Sequence, residues 1–483
     1  MNADKELQAV LDIGIALSKE KNRNHLFAII LEKSMDICNC DGGTLYLYED
    51  GKLAFHTMKT LSQCIDKGGD GEPINLPPVP LKEENICAYA AIHGKPLNIA
   101  NVYDSDMFDF SGPKKYDAMT GYHTESMMAI PLVNDDNQTV GVLQLINAMN
   151  DDGAVIPFSD SLEKVVYALA SQTAIAITNM RYQEELKTQM WSFTEAMAEA
   201  IDARTPYNAS HTRNVAKYCG LIADYINKLH EEGVEDDYFP VPRKEQLVMG
   251  ALLHDIGKLV IPLEVMNKAT RLDGREESIY NRLEKYALKA KIQFLEGKTD
   301  EQKENETLSQ IDEAISVIKE VNAAGFLNDE VRARLEKVLA YTYSEDGEEL
   351  PFFTEEDKTN LRVIKGTLTE EEREIMESHV AMTERILSKV HFIGYFKDSP
   401  TWAVQHHECL NGKGYPKGLG EAELRAEARI VAVADICDAL LATDRPYKKP
   451  LPKEKAFAIL RNMAADGSIE AKYVEYLYKC IDE

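Results

Sequence analysis

The sequence predicts a multidomain chain: an N-terminal α+β domain, a long connector helix, and an all-α domain that carries a helical insertion. Three observations carry this prediction. Residues 1–160 mix helical spacing with two alternating patterns broken by turns, as hairpins are. A stretch from about 159 to 204 is helical throughout, without proline or glycine. From Thr205 onward the apolar spacing is helical to the end, with no convincing strand.

Bulk properties bound the function. The chain has 483 residues, 44% of them apolar, which suits two or three cored domains. Its formal net charge of −27 repels polyanions, so neither nucleic acid nor an anionic membrane is an expected partner. The eight cysteines are scattered, with only Cys38 and Cys40 close together, and read mainly as reduced core thiols. No apolar run reaches the roughly 18 residues a membrane span needs. The charged start "MNADKELQAV" does not read as a signal peptide. A soluble, cytoplasmic protein is expected.

The elements follow in order. "HLFAIILEKSMDIC" has helical spacing. "GGTLYLYEDGKLAFHTM" alternates and turns at Asp50-Gly51, and "ESMMAIPLVNDDNQTVGVLQLINA" is a second hairpin with "NDDNQ" at its tip. With the following "FSDSLEKVVYALASQTAIAITN", this region resembles a GAF sensor domain, of the type found beside cyclic-nucleotide phosphodiesterases. Ligand-binding versions of that type carry an Asn-Lys, a later Phe and an Asp-Glu. Here Asn147 precedes Ala148, Phe158 is present, and Leu162-Glu163 stand in place of Asp-Glu. The resemblance implies a GAF domain over residues 1–178, either with a small ligand or as a dimerising fold.

The connector is assigned to residues 179–205. Leu162, Leu169 and Ala176 repeat by seven, as do Val166, Thr173 and Met180. A second register holds Leu186, Phe193 and Ala200 beside Met190 and Met197. Such repeats predict a parallel homodimer through the sensor domain and connector helix.

The third domain is assigned to residues 206–483. Within it, about 271–365 is charged, reads as three helices, and is taken as an insertion. On either side of it, histidines fall on inward-looking positions. His211 shares a face with Val215, Cys219, Ile222 and Ile226. His254 and Asp255 end the apolar run "MGALLHDIGK", where Gly257 is expected to turn the backbone and bring Lys258 back. His379 shares a face with Ile375, Met382 and Ile386, behind a capping box of Thr369 and Glu372. His406 and His407 stand together in "HHECLNGKGYP", read as about 100° apart on a helix. Asp435 is ringed by small apolar residues.

Taken singly, each is more simply a hydrogen-bonded core residue. Five inward imidazoles and two buried carboxylates together are not cheaply satisfied by one another. Two divalent cations would satisfy all seven, with Asp255 bridging them. Imidazole and carboxylate without thiolate suit iron, manganese, zinc or nickel.

His, then His-Asp, then Asp resembles the metal signature of the HD phosphohydrolase superfamily. "HDIGK", the extra His379, "HHE" with "GYP", and "DRPYKK" are similar to the HD-GYP family in particular. Members of that family are phosphodiesterases of cyclic dinucleotides, chiefly cyclic di-GMP. The resemblance implies metal ligation by His211, His254, Asp255, His379, His406, His407 and Asp435. It implies substrate contacts from Lys258, Tyr415, Pro416, Arg445 and Lys448, with Asp255 and Lys258 catalytic. Some members hold a third ion through a Glu four residues before the first His. Tyr207 stands there in this chain, so two ions are expected, iron or manganese ahead of zinc or nickel. The loop reads Asn411-Gly412-Lys413-Gly414 where the family usually has Asp-Gly-Ser-Gly, and Leu263 and Lys268-Ala269-Thr270 also depart from its pattern. A low-turnover dinucleotide-binding scaffold and a mononucleotide-cleaving HD nucleotidase are the alternatives.

Overall fold

The computed structural model describes residues 22–69, 71–204, 210–345, 347–442 and 451–482. The chain divides into two compact units, Met1–Gln189 and Met190–Glu483.

The first unit is built on an antiparallel sheet. Its strands are β1 (Cys40–Glu49), β2 (Lys52–Thr60), β3 (Ile65–Gly68), β4 (Val79–Pro80), β5 (Leu97–Ile99), β6 (Met127–Val133), β7 (Thr139–Met149) and β8 (Val155–Ile156). The main order is β3-β2-β1-β7-β6-β5, with β4 on β2 and β8 on β7. Both expected hairpins form. β1 turns into β2 through Asp50 and Gly51, both at positive φ, the conformation that favours the Asp-Gly pair. β6 turns into β7 around the polar tip. One sheet face packs on the helix Arg23–Cys38 and on Val166, Ala170 and Ala174 of the helix Asp160–Asp202. The other face closes over the helix Ile86–His93 and Phe110.

Asp160–Asp202 is one unbroken helix. Its register from Leu162 to Met180 differs from the expected dimer seam: Val166, Leu169 and Thr173 are buried against their own unit. Met190 and Met197 also turn inward, onto the core of the second unit with Leu253, Ile256 and Phe396. Leu186, Phe193 and Ala200 remain exposed. The helix is apolar on more than one face, so heptad spacing alone did not distinguish the buried registers from the outward one.

The second unit is mainly helical. Helices His211–Glu231, Val241–Leu253 and Ala426–Leu441 share its main core with the C-terminal Lys453–Ala465 and Ala471–Cys480. The segment expected as an insertion contains the three anticipated helices, Glu276–Leu295, Glu301–Asn322 and Asp329–Leu339. It also contains a short helix, Glu355–Leu361, and a hairpin that the all-helical expectation missed, Thr342–Glu345 paired with Glu348–Pro351. The Asp346-Gly347 pair in the sequence carries the signal for that turn. The segment has a separate core, from Leu272 and Ile279 to Phe353 and Leu361.

Candidate metal centre

The seven expected ligands converge in the second unit. His211 opens its helix, whose Val215, Cys219, Ile222 and Ile226 are buried as the spacing predicts. His254 ends the helix Val241–Leu253, and Asp255 leads into the short 3-10 turn Ile256–Val260. That turn lies against the helix Glu370–Leu387, which carries His379. Gly257 is needed for this approach rather than for a turn, because a Cβ there would sit 1.8 Å from the carbonyl oxygen of His379. Thr383 ties the two segments together. Its hydroxyl accepts from the Gly257 N–H at 3.0 Å and donates to the His254 carbonyl at 3.1 Å.

Backbone carbonyls fix three imidazole tautomers. Nδ1 of His254, His379 and His406 each lies 2.6 Å from a carbonyl oxygen, of Ala251, Met376 and Ala403 respectively. A carbonyl only accepts, so each Nδ1 carries a proton, and each ring when neutral presents an Nε2 lone pair to the site. Nε2 of His379 and Nε2 of His406 then face each other at 3.4 Å with no proton between them. Nε2 of His254 and Oδ1 of Asp255 are buried without a hydrogen bond. Such atoms are rarely left unpaired, and a shared cation satisfies lone pairs that cannot satisfy one another.

The two oxygens of Asp255 face two groups. Oδ2 lies 3.2 Å from Nε2 of His254 and 3.5 Å from Nε2 of His211. Oδ1 lies 3.5 Å from Nε2 of His379 and 4.0 Å from that of His406. His211, His254 and Asp255 form one ligand cluster, and His379, His406 and His407 a second. Asp435 reaches the first cluster, with Oδ1 3.2 Å from Nε2 of His211. The residues present therefore fit metal binding.

Electrostatics agree with the geometry. Burial pushes the Asp255 carboxyl up, but His254, Lys258 and His211 outweigh it and hold the group well below the usual carboxylate range. Burial pushes His407 down to about 4 against the pull of Asp435, so its ring is neutral near pH 7. Burial likewise lowers His406 and His379. At His211 burial is opposed by Asp255, Asp435 and Asp438, which raise it.

The remaining expected residues are placed as follows. Lys258 Nζ sits 2.5 Å from Oδ2 of Asp255. Tyr415 is half-buried and stacks on the His407 ring at 4.7 Å, while Pro416 is exposed. Arg445, Lys448 and Tyr207 lie outside the described residues. His406 and His407 do not lie on a helix; they follow the short helix Ser399–Ala403 in a turn that brings their ring centroids to 4.1 Å. Gly414 allows the loop to double back, since a Cβ there would sit 2.4 Å from the Cys409 nitrogen.

Two supporting carboxylates escaped the sequence reading. Asp438, three residues after Asp435, accepts from Nδ1 of His211 at 2.7 Å and orients that ring. Glu408 accepts from the backbone N–H groups of Lys417 and Leu419, each at 2.8 Å, and shapes the loop of Tyr415. The spacing of Asp438 on the Asp435 helix, and the position of Glu408 beside His407, were the available signals. Burial also pushes the Cys38 thiol up to about 12, in line with its reading as a reduced core thiol.

Comparison with known proteins agrees with this architecture. Residues 22–177 match the GAF domain family, and residues 208–322 and 357–472 each match an HD domain family. The 3'3'-cGAMP-specific phosphodiesterase 3 of Vibrio cholerae is 43% identical over 95 residues, 20% of this chain and 20% of that one. A cyclic di-GMP phosphodiesterase of Thermotoga maritima is 42% identical over 105 residues, 20% of this chain and 26% of that one. The cyclic di-GMP phosphodiesterase response regulator RpfG of Xanthomonas campestris is 31% identical over 169 residues, 33% of this chain and 44% of that one. The matched stretches thus span less than half the length of each of these relatives. His211, His254 and Asp255 lie in the first HD match and His379, His406, His407 and Asp435 in the second.

Proposed function

We propose that the centre hydrolyses a phosphodiester bond of a cyclic dinucleotide, cyclic di-GMP first and 3'3'-cGAMP second, within a cytoplasmic signalling protein regulated through its GAF domain. The observation that carries this reading is Asp255, whose two oxygens face two separate imidazole groups. That arrangement suits two divalent ions, iron or manganese ahead of zinc or nickel, bridged by one carboxylate. Such a pair, when bound, supplies a hydroxide nucleophile and neutralises charge on the phosphoryl oxygens. Asp438 holds the His211 ring so that Nε2 points inward. Lys258 offers an ammonium beside Asp255 for an equatorial phosphoryl oxygen. Tyr415, stacked on His407, offers a ring face to a base, and Pro416 continues that loop. Arg445 and Lys448 are assigned further phosphate contacts on the resemblance alone.

The test is turnover of cyclic di-GMP and 3'3'-cGAMP by protein purified without oxygen, with metal analysis of the same sample. Hydrolysis to linear dinucleotide or mononucleotide is expected. A loaded centre that binds but does not cleave would favour the scaffold, and cleavage of mononucleotides alone would favour a nucleotidase.

We also infer a homodimer through the sensor and connector helix, along a seam that differs from the one read in the sequence. Ile175, Tyr182, Leu186 and Phe193 are exposed at spacings of seven, four and seven, and exposed Asn179 falls in the same series. Covering these four, each 37–54% exposed, on two copies removes on the order of 700 Å² from water. That is less than the roughly 1,000 Å² a specific interface clears, so the inferred dimer draws on further surface of the sensor domain. Asn179 at a core position would set the register. Leu186→Glu with Phe193→Glu should yield a monomer by sedimentation while metal content stays unchanged; a wild-type monomer at micromolar concentration would reject the seam.

A further inference from the structure

Asp202 ends the long helix and is buried, yet it belongs to neither metal cluster. Its Oδ1 accepts from the Thr212 hydroxyl at 2.7 Å, and its Oδ2 is buried without a hydrogen bond. Thr212 is itself buried and directly follows His211. The helix beginning at His211 receives no side-chain hydrogen bond from Ser210 at its N-cap. Its first turn presents N–H groups without intrahelical partners and the positive end of the helix dipole, and Asp202 is the carboxylate held beside it, with the Thr212 backbone among its hydrogen-bond donors.

The same turn of the long helix also holds the other side of the first cluster. Ile201 and Met197 pack in a cluster with Leu253 and Ile256, the residues that flank His254 and Asp255, and with Leu387 and Ala403 from the segments that carry His379 and His406, so the apolar packing is common to both groups and only the hydrogen bonds are one-sided. The Arg204 guanidinium donates to the Ile261 carbonyl at 2.6 Å, just past the turn that carries Lys258. One helix end thus touches the supports of His211 and of the His254–Asp255 pair. No described hydrogen bond or ion pair links Asp202 or Arg204 to His379, His406 or His407.

We propose that Asp202 is a positioning residue for His211, and that with Arg204 it makes the last turn of the long helix the support that sets the spacing between His211 and the His254–Asp255 pair. The proposal rests on the reading of this centre as metal-binding. It makes the hydrogen bonds of the connector act on one half of the centre: Asp202 reaches His211 through Thr212, and neither it nor Arg204 has a described hydrogen bond to the His379–His406–His407 group. Regulation would then appear as a change in how firmly one of two metals is held.

The test is a metal titration of the full-length chain against a competing chelator, with circular dichroism to establish that each metal-free variant is folded. Asp202→Ala should lower affinity at one site by roughly 10–100-fold, the range for an outer-shell support, and leave the other site unchanged. Asp202→Asn keeps an acceptor for Thr212 and should recover most of the loss. Thr212→Val, which also serves if Asp202→Ala fails to fold, should reproduce it, and the double variant should be no worse than either single one. Unchanged affinity at both sites in folded Asp202→Ala and Thr212→Val, or an equal loss at both, overturns the proposal. Wild-type protein that takes up no metal overturns the reading of the centre instead.

Discussion

Asn147 in the GAF unit and Asp255 in the HD unit are both buried polar residues, and they end in opposite situations. Asn147 is closed upon the protein: its oxygen accepts from the Glu125 N–H at 2.7 Å, and its amide donates to the Tyr122 hydroxyl at 3.0 Å and the His123 carbonyl at 2.7 Å. Asp255 keeps one oxygen without a hydrogen bond, within 4.0 Å of two imidazole nitrogens whose own protons are committed elsewhere. The first network is satisfied within the protein. In the second, an unpaired oxygen faces nitrogens that offer it no proton, which is the arrangement that supports the proposed metal site.

The largest effect should come from Asp255→Asn. It removes the charge both clusters share, so both ions and all hydrolysis should be lost, with metal affinity falling well beyond the roughly 100-fold of an outer-shell change. Retention of either ion would show that the carboxylate is not a bridge. Lys258→Ala sharpens the point from the other side. Metal content should hold while turnover drops by about 10²–10³-fold, the scale for losing one donor to a charged transition state.

Asn147→Leu tests the closed network. It should lower the stability of the GAF unit by about 1–3 kcal/mol, because the Glu125 N–H and its neighbours lose their partner inside the core. Metal stoichiometry should not change; a drop in it would erase the contrast. The smallest effect is expected from replacing residues 271–365 with a short linker. The metals should remain bound, since that segment has its own core. Loss of metal on deletion would place it within the catalytic body.

Much of the site was legible because residue type carries the signal. Paired imidazoles and a His-Asp step on apolar faces have few other uses, so the residues that the structure gathers into the two clusters could be named from spacing. Asp438 and Asp202 could not, because an acidic residue on a helix reads as solvated surface until its neighbours in space are known. Met190 and Met197 were misread for a related reason. A helix that packs on its own unit and is apolar on a second face offers two plausible seams, and only tertiary contact separates them. Gly257 looked like a turn residue, whereas its requirement is set by the His379 carbonyl, which lies far away in sequence. The short hairpin after Leu339 was overlooked because helical residues surround it, although Asp346-Gly347 announced the turn.

The neck of the insertion bears on how the chain reaches its fold. Lys268 meets Glu372 across 104 residues, and buried Arg271 donates to the Val363 and Val321 carbonyls. Closing a flexible loop of that length costs about 2 kcal/mol more in chain entropy than closing one of about ten residues. A segment with its own core removes most of that difference. Once it has collapsed, its ends already lie side by side, and the flanking chain searches as though a tight bend joined His254 to His379. Early folding of the insertion would lower the effective contact order of the centre and speed its assembly.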